Sequence, residues 1–393
     1  MNRKMDTTPR LRSVYFTHYT SLYGANRSLL NLLEGLSREK DMELVLVAPE
    51  EGPVLQKARG LNVKCIVLPF FNEIFDASWK RKLHTIGDLY KFLYNWGLVF
   101  RHFWTIKGKG KTMIHTNSSV TFIGAYFAFF LRVDHIWHIR EFAWDDYGLQ
   151  YNFGRKYFEF WLKRASAVVS VSKAVRDKRV SSVKLPFEQV VYNGVVFEKH
   201  LSYLESRQKI VNGKTTFAIV GGVVAPKNIL EALEAFALVR MDFKNTRLLV
   251  VGDGQDYDYM KLLKGFVSDT GLGADIQFTG FVEDMSSIYE KIDVLLMCSH
   301  NEALGRVTIE AMSYGIPVIG YNAGGTREII VDHHNGLFYE GGSVELSEKM
   351  KWLLTERGLG DKMRKNCIQS VREHFTIERY MSNIYNIYSV LNR

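Results

Sequence analysis

The chain has 393 residues, of which 47% are hydrophobic and 24% are charged, and its formal net charge is +9. This length exceeds what one hydrophobic core usually serves, so two domains are expected, and the absence of repeats or low-complexity tracts excludes a repeat protein or a coiled coil. The positive charge fits an anionic partner, such as a membrane surface, a phosphorylated ligand or nucleic acid, or lysines spread over an ordinary surface.

The spacing of the cysteines and the length of the apolar runs indicate the cellular compartment of the protein. Cys65, Cys298 and Cys367 lie far apart, in neither a metal-like nor a disulfide-framework spacing, which favours a reducing cytoplasm. The first twelve residues lack the apolar core of a secretory signal. The longest nearly apolar run, 120–131, is shorter than the roughly 20 residues of a membrane-spanning helix. We expect a cytoplasmic protein, either soluble or held at the inner face of the cell membrane.

Short β-branched runs alternate with longer helical patterns along the chain, which predicts parallel sheets covered by helices on both faces. The first series of predicted strands is 14–16, 44–47, 65–68, 113–115, 136–139, 168–171 and 190–192. A second series follows at 217–221, 247–252, 276–280, 294–297 and 317–320. We therefore place an N-terminal domain at 1–197, a polar linker at 198–214 and a second domain at 215–375. Apolar residues at helical spacing predict a final amphipathic helix within 376–393.

The stretch 79–111 mixes aromatic and aliphatic residues with many cations. Basic charge flanking amphipathic aromatic residues is typical of a segment that lies on an anionic bilayer. A helix pair packed within the domain explains the same pattern. Nucleic acid is a poorer fit, because no recognition motif accompanies the charge.

In the first domain, candidate site residues follow predicted strands. Gly24 and Asn26 lie in the turn between the first strand and a helix, within Y-G-A-N-R-S-L-L-N-L-L. His138, Arg140 and Glu141 end a later strand as H-I-R-E, and His115 lies in I-H-T-N-S-S. Ligands of open α/β sheets bind at the carboxyl ends of strands, so these positions border a predicted cleft.

In the second domain, a glycine turn, Gly221-Gly222, joins a strand to a helix and is followed by Lys227. Such a turn lets the backbone approach phosphate oxygens, and Lys227 is placed to neutralise a diphosphate. Gly252 belongs to G-D-G after the next strand, which lacks the third glycine of a dinucleotide fingerprint and is interpreted as a tight turn.

The most informative stretch is 301–317, N-E-A-L-G-R-V-T-I-E-A-M-S-Y-G-I-P. Glu302 precedes the glycine turn at Gly305, and Glu310 lies within the helix that follows. Backbone N–H groups at the start of that helix suit a diphosphate, and the carboxylates can accept hydrogen bonds from sugar hydroxyls. The combination predicts a nucleotide-sugar site whose loop comprises Glu302, Ala303, Leu304, Gly305, Arg306 and Val307.

The E-x7-E pair, the following A-M-x-x-G-x-P-V-I, Gly324-Gly325-Thr326 and Glu328 together resemble the retaining glycosyltransferases of family 4. The resemblance implies the GT-B architecture, in which two Rossmann-like domains face each other across a cleft and the last helix crosses back to the N-terminal domain. It implies that Glu302 meets the donor sugar and Glu310 the nucleotide ribose. In similar chains the nucleotide base is met by the G-D-G turn and by backbone near Val282.

The same resemblance assigns roles in the diphosphate clamp and in the first domain. Family members commonly carry an arginine where Gly222 stands, and Arg306 is a candidate for the missing charge. Gly24 would let its loop close over the diphosphate, and Asn26 replaces the usual acid. A histidine at the position of His138 is implied to stabilise the cationic transition state beside the transferred sugar. His138, Glu302 and Lys227 are therefore the predicted catalytic residues.

These assignments predict a retaining sugar transferase that moves a sugar from a UDP- or GDP-sugar to a saccharide or lipid-linked saccharide in cell-surface polysaccharide synthesis. No metal or other cofactor is expected, because Asp145-Asp146 lacks the spacing of the D-x-D metal motif. Two alternatives remain: a nucleotide-sugar epimerase of the same architecture, which needs acid/base pairs at the sugar ring, or a non-catalytic subunit that binds sugar nucleotides.

Overall fold

A computed structural model describes residues 11–39, 41–76, 84–143, 148–207, 213–254, 256–356 and 359–392. The chain divides into two compact units. The first unit comprises the described residues up to Gly194 together with those from Ile377 onward, and the second comprises Val195–Thr376. The first unit is therefore discontinuous in sequence.

Within the described residues, the first unit contains a seven-stranded parallel sheet in the order β3-β2-β1-β5-β6-β8-β9. The strands of this unit are β1 (Leu11–Phe16), β2 (Met42–Ala48), β3 (Lys64–Val67), β4 (Ile74–Asp76), β5 (Lys111–Thr116), β6 (Asp134–Ile139), β7 (Leu149–Tyr151), β8 (Ala167–Ser170) and β9 (Glu188–Val190). Strands β4 and β7 form a separate antiparallel pair. All six residues of β1 are buried, because helices cover both faces of a parallel sheet.

The helices that cover this sheet follow its strands in the chain. They are α1 (Gly24–Leu36), α2 (Pro53–Gly60), α3 (His84–Lys107), α4 (Ile123–Leu131), α5 (Gly154–Leu162) and α6 (Lys173–Arg179). Leucines of α1 and the buried side of β2 belong to one core cluster, while α3 packs against α4. None of the described helices is long and apolar enough to span a membrane.

The second unit contains, in the part of the chain that the structure describes, a six-stranded parallel sheet in the order β12-β11-β10-β13-β14-β15. Its strands are β10 (Thr215–Val220), β11 (Thr246–Val251), β12 (Ile276–Gly280), β13 (Val294–Met297), β14 (Val318–Tyr321) and β15 (Gly336–Tyr339). This is the 3-2-1-4-5-6 order of a doubly wound Rossmann sheet, with the order reversing between β10 and β13. The two parallel sheets confirm the predicted fold class.

The helices of the second unit are α7 (Glu198–Ser206), α8 (Ile229–Asp242), α9 (Tyr257–Asp269), α10 (Ser286–Tyr289), α11 (Arg306–Ser313), α12 (Thr326–Ile329), α13 (Gly342–Thr355) and α14 (Leu359–His374), together with a 3-10 turn at Ala225–Lys227. The segment predicted as a linker, 198–214, differs from that expectation, since it begins with α7. Leu201 and Leu204 of α7 are buried. Arg372 of α14 lies 2.7 Å from Glu198 and 2.8 Å from Glu205 on α7. Residues 208–212 lie outside the described part.

The helix predicted within 376–393 is α15 (Ile377–Leu391), and it belongs to the first unit. It packs against α1. A Cβ added at Gly35 of α1 would lie 3.3 Å from Ile377 and 3.3 Å from Met381, so the two helices approach closely at this glycine. The prediction that the last helix returns to the N-terminal domain is confirmed.

Candidate functional site

The second unit brings Lys227 and Glu302 together at the carboxyl edge of its sheet. Lys227 ends the 3-10 turn after β10, and Glu302 lies in the loop after β13. Ligands bind doubly wound sheets at the point where the strand order reverses, which here is the β10–β13 boundary. Lys227 Nζ lies 2.6 Å from Glu302 Oε2, and the side chains are 28% and 17% exposed. A ligand can therefore reach both charges of this salt bridge.

Two glycines allow the loops around this pair to approach each other. A Cβ on Gly252, whose φ is +132°, would lie 2.0 Å from the carbonyl oxygen of Gly221. A Cβ on Gly324, whose φ is +56°, would lie 2.6 Å from the carbonyl oxygen of Glu302. Gly325 then donates its N–H to that same carbonyl at 2.7 Å. The loop that carries Glu302 is thus positioned by the second glycine turn, where a side chain would not fit.

Glu310 forms a second charged cluster, on the helix that Gly305 opens. Gly305 has a φ of +92° and precedes α11. Arg306 Nε lies 2.6 Å from Glu310 Oε1, and Tyr289 donates its hydroxyl to Glu310 Oε2 at 2.9 Å. Arg306, predicted to supply the missing diphosphate charge, is therefore held by Glu310 in this structure. To contact the donor diphosphate, the guanidinium would have to leave the Glu310 carboxylate or contact the carboxylate and the diphosphate together.

The other predicted donor residues surround these two clusters. Gly222 is exposed, and a Cβ built on it would meet only the carbonyl oxygen of Asp253, at 3.8 Å. Leu304 is buried beneath the loop, whereas Ala303 and Val307 are half-buried. Val282, also half-buried, follows β12 at the edge of the sheet. Gly222 is thus a position with room for the arginine that the family pattern carries.

A polar cluster beside Glu302 was missed by the sequence analysis. His300 stacks on Tyr321 with ring centroids 3.7 Å apart. Asn228 donates its amide to Glu231 Oε2 at 2.7 Å and lies 3.3 Å from His300 Nε2. The available signal was position, because Asn228 follows Lys227 and His300 shortly precedes Glu302. These side chains extend the polar surface of the strand-end site.

In the first unit, His115, His138 and Arg140 form a buried network with the final helix. Arg140 donates to Tyr380 Oη at 2.6 Å, and His115 Nδ1 lies 2.8 Å from Tyr388 Oη. His138 Nδ1 lies 3.3 Å from an amino nitrogen of Arg140 and 3.3 Å from His115 Nε2. Burial, and then the charge of Arg140, hold the pKa of both histidines well below the usual value. Both imidazoles are therefore neutral at physiological pH.

The arginine also fixes which nitrogen of His138 carries a proton. A guanidinium only donates, so His138 Nδ1 must accept and its proton lies on Nε2. Arg140 and His115 Nε2 both lie 3.3 Å from His138 Nδ1, so they compete for its one lone pair. His138 Nε2 has no hydrogen-bond partner within the described part of the chain. The side chain of His138 is fully buried here, so its contact with a donor sugar stays a prediction.

Glu141, at the end of the same strand, faces a serine pair that follows β5. Its Oε1 accepts from Ser118 Oγ at 3.0 Å, and from the backbone N–H and hydroxyl of Ser119 at 2.6 and 2.5 Å. Glu141 is half-buried, whereas Arg140 is buried. Glu141 is therefore the more accessible of the two adjoining predicted cleft residues.

The loop that contains Gly24 is held by Asn26. Asn26 Nδ2 donates to the carbonyls of Tyr19 and Ser21 at 2.9 and 2.8 Å, and its Oδ1 accepts from Thr17 at 2.5 Å. The Asn26 side chain has no exposed surface. The amide therefore closes the loop, and a carboxylate could not make both donor bonds; the assignment of Asn26 to the cleft stays a prediction. Gly24 itself is exposed at the start of α1.

His18 is a further residue that the sequence analysis missed. It lies in the loop after β1, and its Nδ1 is buried without a partner in the described residues. Burial, with a contribution from the charge of Arg140, lowers the pKa of His18 to about 3. Its place directly after the first strand is the signal that could have identified it. Across the described residues, no group of three or more His, Cys, Asp or Glu side chains is arranged to hold a metal ion.

Comparison with known families gives two adjoining matches. Residues 23–199 match the profile described as Glycosyltransferase Family 4, and residues 204–374 match Glycosyl transferases group 1. Together the matched segments include the Gly24 loop, the His138 strand, Lys227 and both glutamates. The break between them falls close to the boundary between the two compact units at Gly194.

Individual relatives are distant in sequence. The capsular polysaccharide biosynthesis glycosyltransferase CapM of Staphylococcus aureus is 24% identical over 60% of this chain and 66% of its own length. The N-acetyl-alpha-D-glucosaminyl L-malate synthase of Bacillus anthracis is 26% identical over 58% of this chain and 61% of its own length. These matches span less than two thirds of either relative. The crystal structure of Anabaena HepE in complex with UDP is similar over 96% of this chain and 100% of HepE, with a TM-score of 0.78 and 19% identity.

Proposed function

We propose that this chain, which belongs to the family 4, group 1 glycosyltransferases, transfers a sugar from a nucleotide-diphosphate sugar to an acceptor hydroxyl. The observation that carries the proposal is the Lys227–Glu302 pair at the strand-order reversal of the second sheet. A cation and a carboxylate that are both half-exposed there match the two ends of a sugar diphosphate. Crystallisation of the structurally similar HepE with UDP supports a nucleotide ligand.

Donor binding would exchange the partners of this salt bridge. Oxygens of the diphosphate would accept hydrogen bonds from Lys227 Nζ, and hydroxyls of the sugar would donate to the carboxylate of Glu302. Because the pair is partly exposed, solvent screens its attraction and a doubly charged ligand can compete with it. The amides that follow Gly305 add donors for a phosphate oxygen. Glu310 is assigned to the ribose, with Tyr289 and Arg306 orienting its carboxylate.

The reaction breaks the bond between the anomeric carbon and the diphosphate oxygen and forms a bond from that carbon to the acceptor oxygen. The charge that builds on the leaving diphosphate is stabilised by Lys227 and the backbone donors. We assign retention of configuration: the leaving phosphate oxygen accepts the acceptor's proton on the same face. No metal is assigned a part, because Lys227 and amide donors supply the positive potential. His138 is assigned to stabilise the cationic sugar ring.

The acceptor class assigned is a saccharide or a lipid-linked saccharide of a cell-surface polysaccharide. The relative CapM is a glycosyltransferase of capsular polysaccharide biosynthesis, which supports this class. The malate acceptor named for the Bacillus anthracis relative shows that relatives at this distance also use other hydroxyl compounds. An acceptor panel must therefore include small hydroxy acids as well as saccharides.

The test is release of UDP or GDP from a panel of UDP- and GDP-sugars, with and without acceptors, in the presence of EDTA. We expect acceptor-dependent release that persists in EDTA and falls at least about 100-fold in Glu302→Gln. The matched control is Glu348→Gln, an exposed glutamate of the same unit, which should retain wild-type turnover. The anomeric configuration of the product, read by NMR, decides retention.

Three outcomes separate the alternatives. Interconversion of donor sugars without an acceptor identifies an epimerase. Tight UDP or GDP binding without turnover of any donor identifies a binding subunit. If no donor turns over and Glu302→Gln binds nucleotide sugars as the wild type does, the transferase proposal and the assigned site are both wrong.

A further inference from the structure

The exposed face of α3 is apolar over most of its length. Ile86 is 83% exposed and Trp104 is 71% exposed, although both belong to residue types that are usually buried. Between them the exposed large apolar residues of α3 are Leu89, Tyr90, Leu93 and Phe100. Large contiguous apolar surface is rare on proteins that meet only water and is typical of interaction sites.

Helical spacing places these residues in one stripe. Positions 86, 89, 90, 93, 97, 100 and 104 fall within an arc of about 100° and extend over about 27 Å of helix. The opposite face packs inward, where Asn95, Val99 and Ile106 have no exposed surface. Asn95 fixes this orientation, because its side chain bonds the backbone of Phe71 at 2.9 Å and Glu73 at 2.9 Å. Because these hydrogen bonds anchor the buried face of α3, the apolar stripe on the opposite face points outward.

Aromatic side chains from two neighbouring helices continue the surface. The ring of Phe100 lies 5.0 Å from that of Phe130 at the end of α4, and the adjacent Phe129 is also exposed. Phe129 contacts Trp161 of α5 at 5.7 Å, and Trp161 contacts the exposed Phe160 at 5.4 Å. Exposed aromatic residues of α3, α4 and α5 are thus linked by ring contacts, which pass through the buried Trp161 between Phe129 and Phe160.

Cations border this surface. The exposed cations are Arg101 and Lys107 near the C-terminal end of α3, Lys109 in the turn after it and Lys111 at the start of β5. Lys107 Nζ lies 5.7 Å from the ring centre of Trp104, which places the charge directly beside the apolar stripe. The lone acid of α3, Asp88, is buried on the opposite face. Among the described side chains of α3, the exposed ones are therefore apolar or positively charged, apart from Thr105.

A cavity of about 630 Å³ opens in the same region, between α4 and α5. Its lining combines the aromatic residues Phe129, Phe130 and Trp161 with Arg132 and Arg164. Arg164 lies 3.5 Å above the ring of Phe160, so its charge is held at the edge of the exposed aromatic surface. Two arginines beside apolar walls suit a phosphate group attached to hydrocarbon.

Charge decides between the possible occupants of this surface. A second copy meeting the same face would bring the lysines and arginines of one chain against those of the other. A bilayer with anionic headgroups complements both parts, since the apolar stripe enters the interface and the cations meet the headgroups. We propose that the face formed by α3, Phe130, Arg132 and Arg164 lies on an anionic lipid membrane, with the arginine cavity holding a lipid phosphate. The proposal does not depend on sugar transfer.

The test is flotation of the full-length chain with vesicles of phosphatidylcholine alone and of phosphatidylcholine with 30% phosphatidylglycerol. We expect at least about tenfold stronger binding to the anionic vesicles at low salt, and weaker binding as salt is raised. Leu93→Ser combined with Phe100→Ser and Trp104→Ser should abolish binding to both. Arg132→Glu combined with Arg164→Glu should lower binding to anionic vesicles about tenfold or more and leave binding to neutral vesicles unchanged.

Matched controls lie on the second unit. Met241→Ser with Tyr257→Ser removes comparably exposed apolar residues, and Lys261→Glu with Lys264→Glu makes the same change of net charge as the arginine variant. Both controls should bind vesicles as the wild type does. Loss of binding in the lysine control equal to that in the arginine variant would show non-specific attraction to a basic protein, and would overturn the proposal.

Two further results would overturn it. One is equal binding of the wild type and the triple serine variant. The other is a self-association that light scattering detects in the wild type and not in the triple serine variant, without vesicle binding, which would assign the face to a second copy. Insertion of Trp104 into the bilayer is measured separately. Brominated lipids should quench the tryptophan fluorescence of the wild type more than that of Trp104→Phe when both bind vesicles equally.

Discussion

Replacing Gly222 by arginine should strengthen donor binding. The position has no left-handed φ, and a Cβ there meets only the Asp253 carbonyl oxygen, at an ordinary contact distance of 3.8 Å. Lys227 lies nearby, because its side-chain carbons come within 3.7 Å of a Cβ built on Gly221. The new guanidinium would therefore share the diphosphate site with Lys227 without displacing backbone.

The size of the gain follows from the exposure of that site. A hydrogen bond to a charged group is worth about 1.5–3 kcal/mol when well buried. Lys227 is 28% exposed and Gly222 is on the surface, so solvent reduces the value to about 1–2 kcal/mol. The dissociation constant for UDP or GDP should fall by about 5- to 30-fold. Higher salt should reduce the gain.

Calorimetric titration of UDP and GDP measures this change, with Gly222→Ala as the control for lost glycine flexibility. Equal affinities of the alanine and arginine variants, both folded with wild-type melting temperatures, would refute the placement of the diphosphate. One competing interaction is checked directly. Asp253 adjoins the site, so the arginine variant is also measured with Asp253→Asn, which removes an intramolecular partner for the new guanidinium.

Two further predictions concern stability. Burial raises the pKa of Glu73 from 4.5 to about 7 in the folded chain, so the folded state binds this proton more tightly and loses up to about 3 kcal/mol of stability as pH rises from 4.5 to 7. Glu73→Gln should therefore melt higher than the wild type at pH 8 but not at pH 4, and an equal difference at both pH values would contradict this. Gly324→Ala should cost at least about 2 kcal/mol in denaturant unfolding, from its positive φ and the contact with the Glu302 carbonyl. Gly265→Ala, in open space within α9, should instead stabilise by about 0.5–1 kcal/mol, and similar losses in both variants would contradict the geometry.

The central strands of the two sheets were predictable because they are buried on both faces, whereas β3 and β9 at the edges of the first sheet are partly exposed. Every strand predicted from a continuous β-branched run overlaps a strand of one of the two sheets, although the strand predicted at 190–192 shares only Val190 with β9. The antiparallel pair β4–β7 and the edge strand β15 were missed, because short strands carry little periodic signal. The helix α7 was also missed, since two buried leucines in a charged segment look like a linker.

Site residues that belong to short sequence motifs were predictable, whereas the burial of site residues by distant parts of the chain was not. Lys227 and Glu302 were assigned to one predicted donor site from their strand-end positions and from the family resemblance. The structure places the two side chains 2.6 Å apart although they lie 75 residues apart in the chain, and their roles in donor binding stay predictions. The burial of Asn26 and His138 could not be read from sequence, because it depends on loop closure and on tyrosines of α15. The Glu310–Arg306 pair was available from the i, i+4 spacing, yet Arg306 was assigned to phosphate instead.

The return of α15 to the first unit bears on the order in which the chain can fold during synthesis. Val195–Thr376 is continuous and leaves the ribosome before the last helix, so the second unit can complete its core first. The first unit must wait with the α1 leucines uncovered and Arg140 lacking its Tyr380 partner. A fragment that stops at Gly194 would lack α15, so the α1 leucines would stay uncovered and Arg140 would stay without Tyr380. The first unit is therefore best expressed with the segment Ile377–Leu391 fused to it.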